Sequence, residues 1–238
     1  MASISVVLPA YKEADNLKKL LPKIKQTLED CCGNWEILVV DAENPTGDGT
    51  KEVCESCGAT YVSRQGGNLY GDAIRTGFKM AQYEYVSVLD ADGSHHPEDI
   101  KRMLATMEQG SDLVIGSRYM KGGYTDNPFI LRFMSYILNV TYRIMFSLKV
   151  KDVSDSFRLY KTSMLRQISL ECDNFDIVEE ILILLKMQFP DMKITEVPVS
   201  FEKRDQGESK RDLKKFIMSY LNTMRKLKSI QRRHKKEA

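Results

Sequence analysis

The chain has 238 residues, of which 42% are hydrophobic and 29% are charged, and this composition predicts one large α/β domain with a substantial core. The sequence opens on a strand-like segment, and no window has the uncharged apolar length of a membrane span, so we expect neither a secretory signal nor a transmembrane helix. Five cysteines, an odd number, favour reduced thiols in a cytoplasmic protein.

The net charge is only +2, but it is unevenly distributed along the chain. From Lys210 to the last residue there are 11 Lys or Arg and two acidic residues, whereas the rest of the chain carries 24 basic and 31 acidic residues. A basic tail on a mildly acidic body favours an anionic surface as partner, although a solvated basic face is the alternative. We expect a membrane surface rather than a nucleic acid.

Apolar runs bounded by turn residues predict that strands and helices alternate in the first half of the chain. The predicted strands are 4–8, 36–40, 59–63, 85–89 and 112–116. The predicted helices begin after a cap at Asp15 or Asn16, at Thr50, at Asp72, and at Pro97. Such alternation is typical of an α/β fold with a mostly parallel central sheet flanked by helices.

The second half begins with a strongly apolar segment, 128–148, in which polar residues recur at helical spacing. Arg132, Ser135, Asn139 and Arg143 are three, four and four residues apart, so they form one stripe along a helix. We interpret this segment as an amphipathic interface helix at a membrane surface, with its polar stripe toward the protein. A helix buried in the core is the alternative.

The remaining segments predict a polar loop over 152–160, a helix over 175–187 and a strand over 194–201. The charged segment 202–210 is interpreted as a flexible loop that folds over an anionic ligand. A basic amphipathic helix over 213–233 ends the predicted fold, and it either docks on the body or lies on anionic lipid.

Carboxylates follow three of the predicted strands. Asp90 and Asp92 come directly after strand 85–89, Asp41 follows strand 36–40, and Glu13 lies with Tyr11 after the first strand. Carboxyl ends of parallel strands meet at one rim, where open α/β sheets bind ligands. Two carboxylates at such a rim suit Mg²⁺, which takes its other ligands from water and phosphates. The alternative is that both aspartates only cap the loop and the following helix.

Competing phosphate-binding motifs are absent from the sequence. There is no Gly-x-Gly-x-x-Gly after the first strand and no Walker phosphate loop, which argues against dinucleotide enzymes and P-loop NTPases. The 90–94 segment is similar to the first motif of haloacid-dehalogenase-like phosphatases, whose first aspartate is a nucleophile. That motif normally lies on the first strand and requires a later acidic pair, and this chain meets neither condition.

Five segments occur in an order that resembles the family 2 glycosyltransferases of GT-A fold, closest to the dolichol-phosphate or polyprenyl-phosphate mannose or glucose synthases. They are 7–13, 90–97, 116–123, the stripe Arg132, Ser135 and Asn139, and the Phe-x-x-Arg-x-x-Gly-x-Ser-Lys segment 201–210. The resemblance covers residue 4 to about 211. It implies a nucleotide-sugar half over about 1–116 and an acceptor half over about 117–211, beyond which the residue pattern predicts a basic amphipathic helix over 212–238.

The resemblance implies a role for individual residues. The implied nucleotide-sugar ligands are Pro9, Tyr11, Glu13, Val40, Asp41, Asp90, Ala91, Asp92, Arg204 and Lys210. The implied ligands of Mg²⁺ or Mn²⁺ are Asp90, Asp92 and Ser94. The implied acceptor-binding residues are Arg118, Arg132, Ser135, Asp152 and Glu180. The implied catalytic residues are Asp90, Asp92, Arg118 and Arg204.

The chemistry implied by the resemblance is inverting transfer of a hexose from GDP-mannose or UDP-glucose to a polyprenyl phosphate at the cytoplasmic membrane face. A phosphate acceptor is already an anion near neutral pH and needs no strong base. A saccharide hydroxyl is the alternative acceptor, and it would need a base such as Asp152, Asp155 or Glu180. A membrane-peripheral scaffold without activity is the non-enzymatic alternative.

Two segments depart from the pattern that they resemble. The usual Asp-Asp-Gly-Ser after the second strand is replaced by 41–44, with a longer loop, so base and ribose recognition is expected to differ. The usual Ser-Gly-Phe-Arg is replaced by 155–158, which adds the charge of Asp155 near the acceptor. His95 and His96 are expected to shape the turn before Pro97, with metal ligation as the alternative, and Arg158 is expected to pair with Asp152 or Asp155 if it has no ligand role.

Overall fold

The computed structural model describes residues 1–202 and 213–237 of the chain. The strands are β1 Ala2–Pro9, β2 Cys32–Asp41, β3 Thr60–Ser63, β4 Tyr85–Val88, β5 Leu113–Ser117, β6 Tyr124–Thr125, β7 Arg158–Lys161, β8 Ile194–Pro198 and β9 Ser200–Phe201. The helices are α1 Ala14–Cys31, α2 Thr50–Cys57, α3 Tyr70–Met80, α4 Asp99–Glu108, α5 Phe129–Phe146, α6 Thr162–Leu165, α7 Ile177–Gln188 and α8 Leu213–Glu237.

The central sheet has seven strands in the order β3-β2-β1-β4-β7-β5-β8. All its neighbours pair in parallel except β7, which is antiparallel to both β4 and β5. A second sheet pairs β6 with β9. The predicted α/β fold with a mostly parallel sheet is therefore confirmed, and β7 is a strand that the sequence prediction missed.

Both faces of the sheet are covered, which explains why its strands are nearly continuous apolar runs. Alternate residues of β1 point to opposite faces: Val7 packs on the side of α3, α5, α7 and α8, whereas Val6 and Leu8 pack on the side of α1, α2 and α4. Helix α3 crosses β1 very closely, since a Cβ placed on Gly77 would lie 2.3 Å from Cγ1 of Val7. A glycine is therefore required at this crossing.

Three predicted helix starts in the first half of the chain were wrong. Helix α3 begins at Tyr70 rather than at Asp72. Helix α1 begins at Ala14, before the expected cap at Asp15 or Asn16. The Ala14 N–H donates a hydrogen bond to Asp48 Oδ2 in a distant loop, 3.3 Å away. Helix α4 begins at Asp99 rather than at Pro97, because the 96–101 segment first forms a turn with i to i+3 hydrogen bonds.

Two predictions in the second half were also wrong. The expected polar loop 152–160 ends in β7, and the single expected strand 194–201 is two strands. Val199 still donates its N–H to Ser117 O of β5, and beyond it the chain leaves the main sheet and β9 pairs with β6. Phe201 also forms an isolated bridge with His95, which brings β9 against the loop after β4.

Helix α5 lies on the surface, so the alternative of a buried core helix was wrong. Among its residues only Asn139, Tyr142 and Phe146 are buried. Its outer face carries seven exposed large side chains: Phe129, Ile130, Leu131, Phe133, Tyr136, Ile137 and Ile144. Within the described residues, no helix combines the length and the apolar character needed to cross a membrane.

Helix α8 docks on the body through polar contacts to α5 and α7. Lys228 Nζ bonds the Met145 carbonyl, 2.7 Å away, and Ser219 and Thr223 both donate to Asp176. The proposed start of a separate helical unit at residue 212 lies outside the described residues.

Candidate active site

Polar side chains from six neighbouring strands line one rim of the central sheet. Arg64 follows β3, Asp41 ends β2, the 10–13 loop follows β1, Asp90 follows β4 closely, and Arg118 follows β5. The 152–157 loop lies at the same rim because it precedes β7, which runs antiparallel to its neighbours. The strand order confirms the predicted convergence of the first, second and fourth strand ends, and it adds the acceptor half to the same rim.

Asp41 and Arg64 form the buried charged part of the rim beside β1 and β2. Asp41 accepts a hydrogen bond from Tyr61 Oη, 3.2 Å away, and burial raises the pKa of its carboxyl. Arg64 donates through Nη2 to the Ala10 carbonyl and through Nη1 to the Asn68 carbonyl, the latter 2.7 Å away. Arg64 therefore ties together two rim loops, and sequence reasoning missed it although it directly follows a predicted strand.

The other predicted nucleotide ligands of this part lie around the end of β1. Pro9 is the last residue of β1, and Val40 is buried one residue before the end of β2. Tyr11 is exposed, and Glu13 Oε2 accepts a hydrogen bond from Asn16 Nδ2 at 2.6 Å. The predicted set thus shares one loop region, with the tyrosine ring open to solvent.

The loop after β4 carries the acidic pair. Asp92 is buried and its Oδ1 accepts the Ser94 N–H, 3.1 Å away, while Asp90 is half-buried and Ala91 is buried between them. Gly93 adopts a φ of 77°, in the left-handed region that favours glycine. The N-cap of α4 is Glu98, without a side-chain cap, so Asp92 caps its own loop and not the helix.

The donor groups of this loop are compatible with a divalent cation that keeps water and substrate ligands. Within the described residues there is no group of three or more His, Cys, Asp or Glu side chains that could hold a metal by themselves. Two carboxylates are nevertheless what Mg²⁺ commonly takes from a protein when phosphates supply other ligands. The hydroxyl of Ser94 is buried without a hydrogen-bond partner in the described structure, so its oxygen remains available as a further ligand of the cation.

Arg118 is held by a network of side chains from the 152–157 loop. Asp152 accepts from Arg118 Nε and Nη2, each at 2.8 Å, and from its backbone N–H at 3.1 Å. Asp155 Oδ2 lies 3.0 Å from Nε, and Ser154 Oγ accepts from Nη2 at 2.8 Å. Ser154 in turn contacts Ser135 of α5 at 3.1 Å. The predicted acceptor residues Arg118, Asp152 and Ser135 are thus one connected cluster.

His95 connects this cluster to the acidic loop. Its Nε2 lies 3.0 Å from Asp155 Oδ1, and both side chains are inaccessible to solvent. Burial favours the neutral form of each group, but the attraction between them outweighs it and raises the pKa of His95. The charges of His95 and Arg118 together lower the pKa of Asp155 to about 2. His96 instead contacts Glu202 at the surface, 2.9 Å away.

Two predicted acceptor residues lie apart from this cluster. Arg132 is exposed on the outer part of α5. Glu180 of α7 is buried with its carboxylate bonded to the backbone N–H groups of Glu171 and Cys172, and Lys226 of α8 is 3.8 Å away. The structure therefore brings neither of them against Arg118, and Glu180 supports the packing of α8.

Arg158 does not form the expected pair with Asp152 or Asp155. It is fully buried and donates to three backbone carbonyls, those of Asp155, Val153 and Val178, at 2.6–2.9 Å. It therefore fixes the path of the 152–157 loop. The predicted phosphate ligands Arg204 and Lys210 lie outside the described residues.

Comparison with known proteins identifies the family to which a protein with this site belongs. The model of the family described as glycosyl transferase family 2 matches residues 5–169, which include the acidic loop, Arg118 and the 152–157 loop. The chain belongs to this family.

Three curated relatives make the likeness more specific. The chain is 35% identical over 233 residues to a dolichol-phosphate mannosyltransferase of Pyrococcus furiosus, covering 94% of this chain but only 63% of that protein. It is 31% identical to a polyprenol monophosphomannose synthase of Mycolicibacterium smegmatis and 29% identical to an undecaprenyl-phosphate mannosyltransferase of Micrococcus luteus. These two matches cover 86% and 87% of this chain, and 79% and 86% of the relatives.

Solved structures share the fold at low sequence identity. A glucosyl-3-phosphoglycerate synthase of Mycobacterium tuberculosis, in complex with Mn²⁺, UDP-glucose and phosphoglyceric acid, superimposes with a TM-score of 0.73 at 17% identity, over 96% of this chain and 80% of that chain. The same protein with Mg²⁺ and UDP gives a TM-score of 0.69 at 17% identity, over 94% and 79%. At this identity the likeness establishes the GT-A fold.

Proposed function

We propose that this protein transfers a hexose, most simply mannose, from a nucleotide diphosphate sugar to a polyprenyl phosphate, with inversion at the anomeric carbon. The observation that carries the proposal is the single connected rim on which the acidic loop 90–94 and the arginine cluster around Arg118 meet through His95 and Asp155. A donor diphosphate and an acceptor phosphate bound there would be neighbours. The names of the three curated relatives support the same pair of substrates.

The donor is assigned to the part of the rim formed by β1, β2 and β4. Breaking the bond between sugar and diphosphate develops negative charge on the leaving group, and a divalent cation held by Asp90, Asp92 and Ser94 would stabilise that charge. Mn²⁺ and Mg²⁺ accompany the nucleotide in the structural neighbours, which supports this choice. The exposed ring of Tyr11 and the buried Asp41 are the groups assigned to the nucleoside.

The acceptor phosphate is assigned to Arg118. The carboxylates of Asp152 and Asp155 lie along the edge of the guanidinium formed by Nε and Nη2. No group of the described residues accepts a hydrogen bond from Nη1. The N–H groups of Nη1 are therefore available to a phosphate oxygen, with the guanidinium already held in one orientation. Phosphate oxygens attack the anomeric carbon without a general base.

A saccharide hydroxyl is less well supported as the acceptor, because it requires a base. Of the three candidate bases, Asp152 and Asp155 are both paired with Arg118, and Glu180 is bonded to two backbone N–H groups. A carboxylate that already accepts charged hydrogen bonds is a weak base. The geometry thus favours an acceptor that is itself an anion.

We further propose that the protein is peripheral to the cytoplasmic membrane face and approaches it through α5. The outer face of α5 exposes aromatic and aliphatic side chains, with Phe129 80% and Ile144 77% accessible. The neighbouring α8 adds exposed basic residues such as Arg225 and Arg232. Apolar side chains beside basic ones suit the headgroup region of an anionic membrane, where a polyprenyl phosphate would present its phosphate.

The test is turnover of a panel of GDP- and UDP-sugars with Mg²⁺ or Mn²⁺, with and without a short-chain polyprenyl phosphate in detergent. We expect transfer that requires the lipid phosphate and is lost in Asp92→Asn. The matched control is Asp30→Asn, which removes an exposed carboxylate of α1 paired with Lys101, and which should keep full activity. Nucleotide-sugar binding without transfer to lipid phosphate would overturn the proposed acceptor.

A further inference from the structure

The buried pair of His95 and Asp155 joins two segments that are 60 residues apart and belong to different halves of the rim. His95 lies at the end of the acidic loop, where its ring packs against Phe157 and Phe201 with centroids 5.1 and 5.0 Å away. Asp155 lies in the loop before β7 and also accepts the Phe157 N–H at 2.8 Å. Neither side chain is accessible to solvent, so neither can contact a substrate directly.

The two oxygens of Asp155 have different partners. Oδ1 faces His95 and the Phe157 N–H, whereas Oδ2 lies 3.0 Å from Arg118 Nε. The contact of Oδ2 is an ion pair without a hydrogen bond, and the hydrogen bond of Nε goes to Asp152, so the rotation of the guanidinium depends on where both carboxylates are held. Asp152 is fixed by the N–H groups of Arg118 and Ser154, and also by its own N–H on Glu196. His95 is the side chain that fixes Asp155.

We propose that His95 is a positioning residue for the acceptor: through Asp155 it sets the orientation in which Arg118 presents Nη1 to the acceptor phosphate. This inference rests on the proposed function, in which Arg118 binds that phosphate. The loop carrying Asp90 and Asp92 thereby aligns the acceptor arginine, so that the donor and acceptor sites share one rigid support. His95 acts through its contacts and touches no reacting atom.

The chain contains a matched control for this role. His96 is the neighbouring residue, and its ring also contacts a carboxylate, that of Glu202, but the pair is about half-exposed and does not reach Arg118. Replacing either histidine by Phe keeps a ring of similar size and removes the nitrogen contact. His95→Gln restores an N–H donor of similar reach at the buried position, so it serves as the conservative variant.

The kinetic test compares His95→Phe, His95→Gln and His96→Phe with the native protein. We expect His95→Phe to raise the KM of the polyprenyl phosphate about tenfold and to change the KM of the donor less than about twofold, since only the acceptor arginine loses its alignment. His95→Gln should recover most of the loss, and His96→Phe should resemble the native protein. Equal changes in both KM values, or equal effects of the two Phe variants, would overturn the positioning role.

A double-mutant comparison locates the route of the effect. Asp155→Asn keeps the Oδ1 acceptor for His95 and replaces the Oδ2 contact to Arg118 by an amide. If His95 acts through Asp155, then His95→Phe should change the acceptor KM less than about twofold in the Asp155→Asn background. Independent, multiplying effects would contradict the route through Asp155.

A second readout does not depend on turnover. The Nε–H resonance of Arg118 can be identified in a ¹⁵N-labelled protein by its loss in Arg118→Lys. We expect His95→Phe to shift this resonance and His96→Phe to leave it in place. An unchanged resonance in His95→Phe overturns the positioning role even if the protein is an active transferase. A shifted resonance in a protein that never glycosylates polyprenyl phosphate instead overturns the proposed function and keeps the alignment of Arg118.

Discussion

The two ends of the rim are held by different kinds of bonds. At the donor end, beside β1, β2 and β3, Arg64 donates hydrogen bonds to backbone carbonyls, so the loops there are held through their main-chain atoms. At the acceptor end, beside β7 and β5, the charged side chains of Arg118, Asp152 and Asp155 hold one another, and His95 from the loop after β4 joins them. The acceptor end therefore depends on a few side-chain charges and should be the easier end to alter by single substitutions.

The largest expected effect comes from Arg118→Lys, which breaks the acceptor end alone. Lysine keeps the charge, but its ammonium is a compact point charge without the planar fork that lets a guanidinium hold Asp152 along one edge and present Nη1 to a phosphate from another. We expect kcat/KM for the lipid phosphate to fall about 10²- to 10³-fold, with nucleotide affinity by calorimetry unchanged. Arg64→Lys at the donor end should show the reverse, with weakened nucleotide binding. A parallel loss of nucleotide affinity in Arg118→Lys would remove the distinction between the two ends.

A substitution with a smaller expected effect tests whether the central sheet under both ends of the rim unfolds in one cooperative transition. Gly77→Ala places a Cβ against Val7 of β1, and we expect the free energy of unfolding to fall by about 1–3 kcal/mol. Gly33→Ala is the control. Its new Cβ would have one close contact, to the Met1 side chain at 3.1 Å, so the free energy of unfolding should change by less than about 0.5 kcal/mol. Urea unfolding followed by fluorescence and by circular dichroism should shift together. Separate transitions would mean that the donor end unfolds by itself.

The acceptor end also contains a buried acid that should make stability depend on pH. Glu179 of α7 is inaccessible, neither of its oxygens has a hydrogen-bond partner in the described structure, and burial raises its pKa well above the usual value. The native state therefore keeps a proton that the unfolded chain releases above about pH 4.3. The contribution of Glu179 to the free energy of unfolding therefore falls as pH rises from about 4.3 toward the raised pKa, by up to about 1.4 kcal/mol per pH unit.

Glu179→Gln removes this titration. We expect the difference in unfolding free energy between Glu179→Gln and the native protein to grow in favour of the variant from pH 5 to pH 7, measured by urea titration at each pH. Using the difference cancels the other titrating groups. A difference that stays constant over this range would contradict a buried neutral Glu179.

The smallest effect concerns the outer face of α5. Ile137 is 49% exposed, and Ile137→Ser should weaken binding to anionic vesicles about fivefold because less apolar surface enters the interface. Thermal stability should stay the same. Met80→Ser, at an exposed apolar position of α3, is the control and should bind vesicles like the native protein. Equal vesicle binding by Ile137→Ser and Met80→Ser would argue against α5 as the contact surface.

The first five strands could be predicted because each is an apolar run followed by turn residues, and the acidic residues after them marked the rim. The strand β7 could not, since it has only four residues, and Arg158 and Lys161 flank its apolar pair Leu159 and Tyr160. Nothing local indicates that such a short run is inserted between β4 and β5. The start of α1 was displaced because Asp48, from a remote loop, accepts a hydrogen bond from the first N–H of that helix.

The candidate site was predictable as a set of residues but not as a network. The family resemblance implied Arg118, Ser135 and Asp152 as acceptor-binding residues, and the structure adds that Arg118 is paired with two aspartates. The contact between His95 and Asp155 spans 60 residues, so no spacing rule indicates it. Arg64 was missed because a single arginine after a strand is a weak signal until its partners, the carbonyls of Ala10 and Asn68, are seen.

The position of β7 also has a consequence for how the chain is made. Strands β4 and β5 leave the ribosome first, but they are not neighbours, because β7 must enter between them and pair with both. Until residue 161 emerges, the edges of β4 and β5 that β7 will join stay open with unpaired N–H and C=O groups, and such edges pair readily with other chains. Fragments that stop before β7 are therefore expected to aggregate, and the nascent chain should bind chaperones most strongly in this interval.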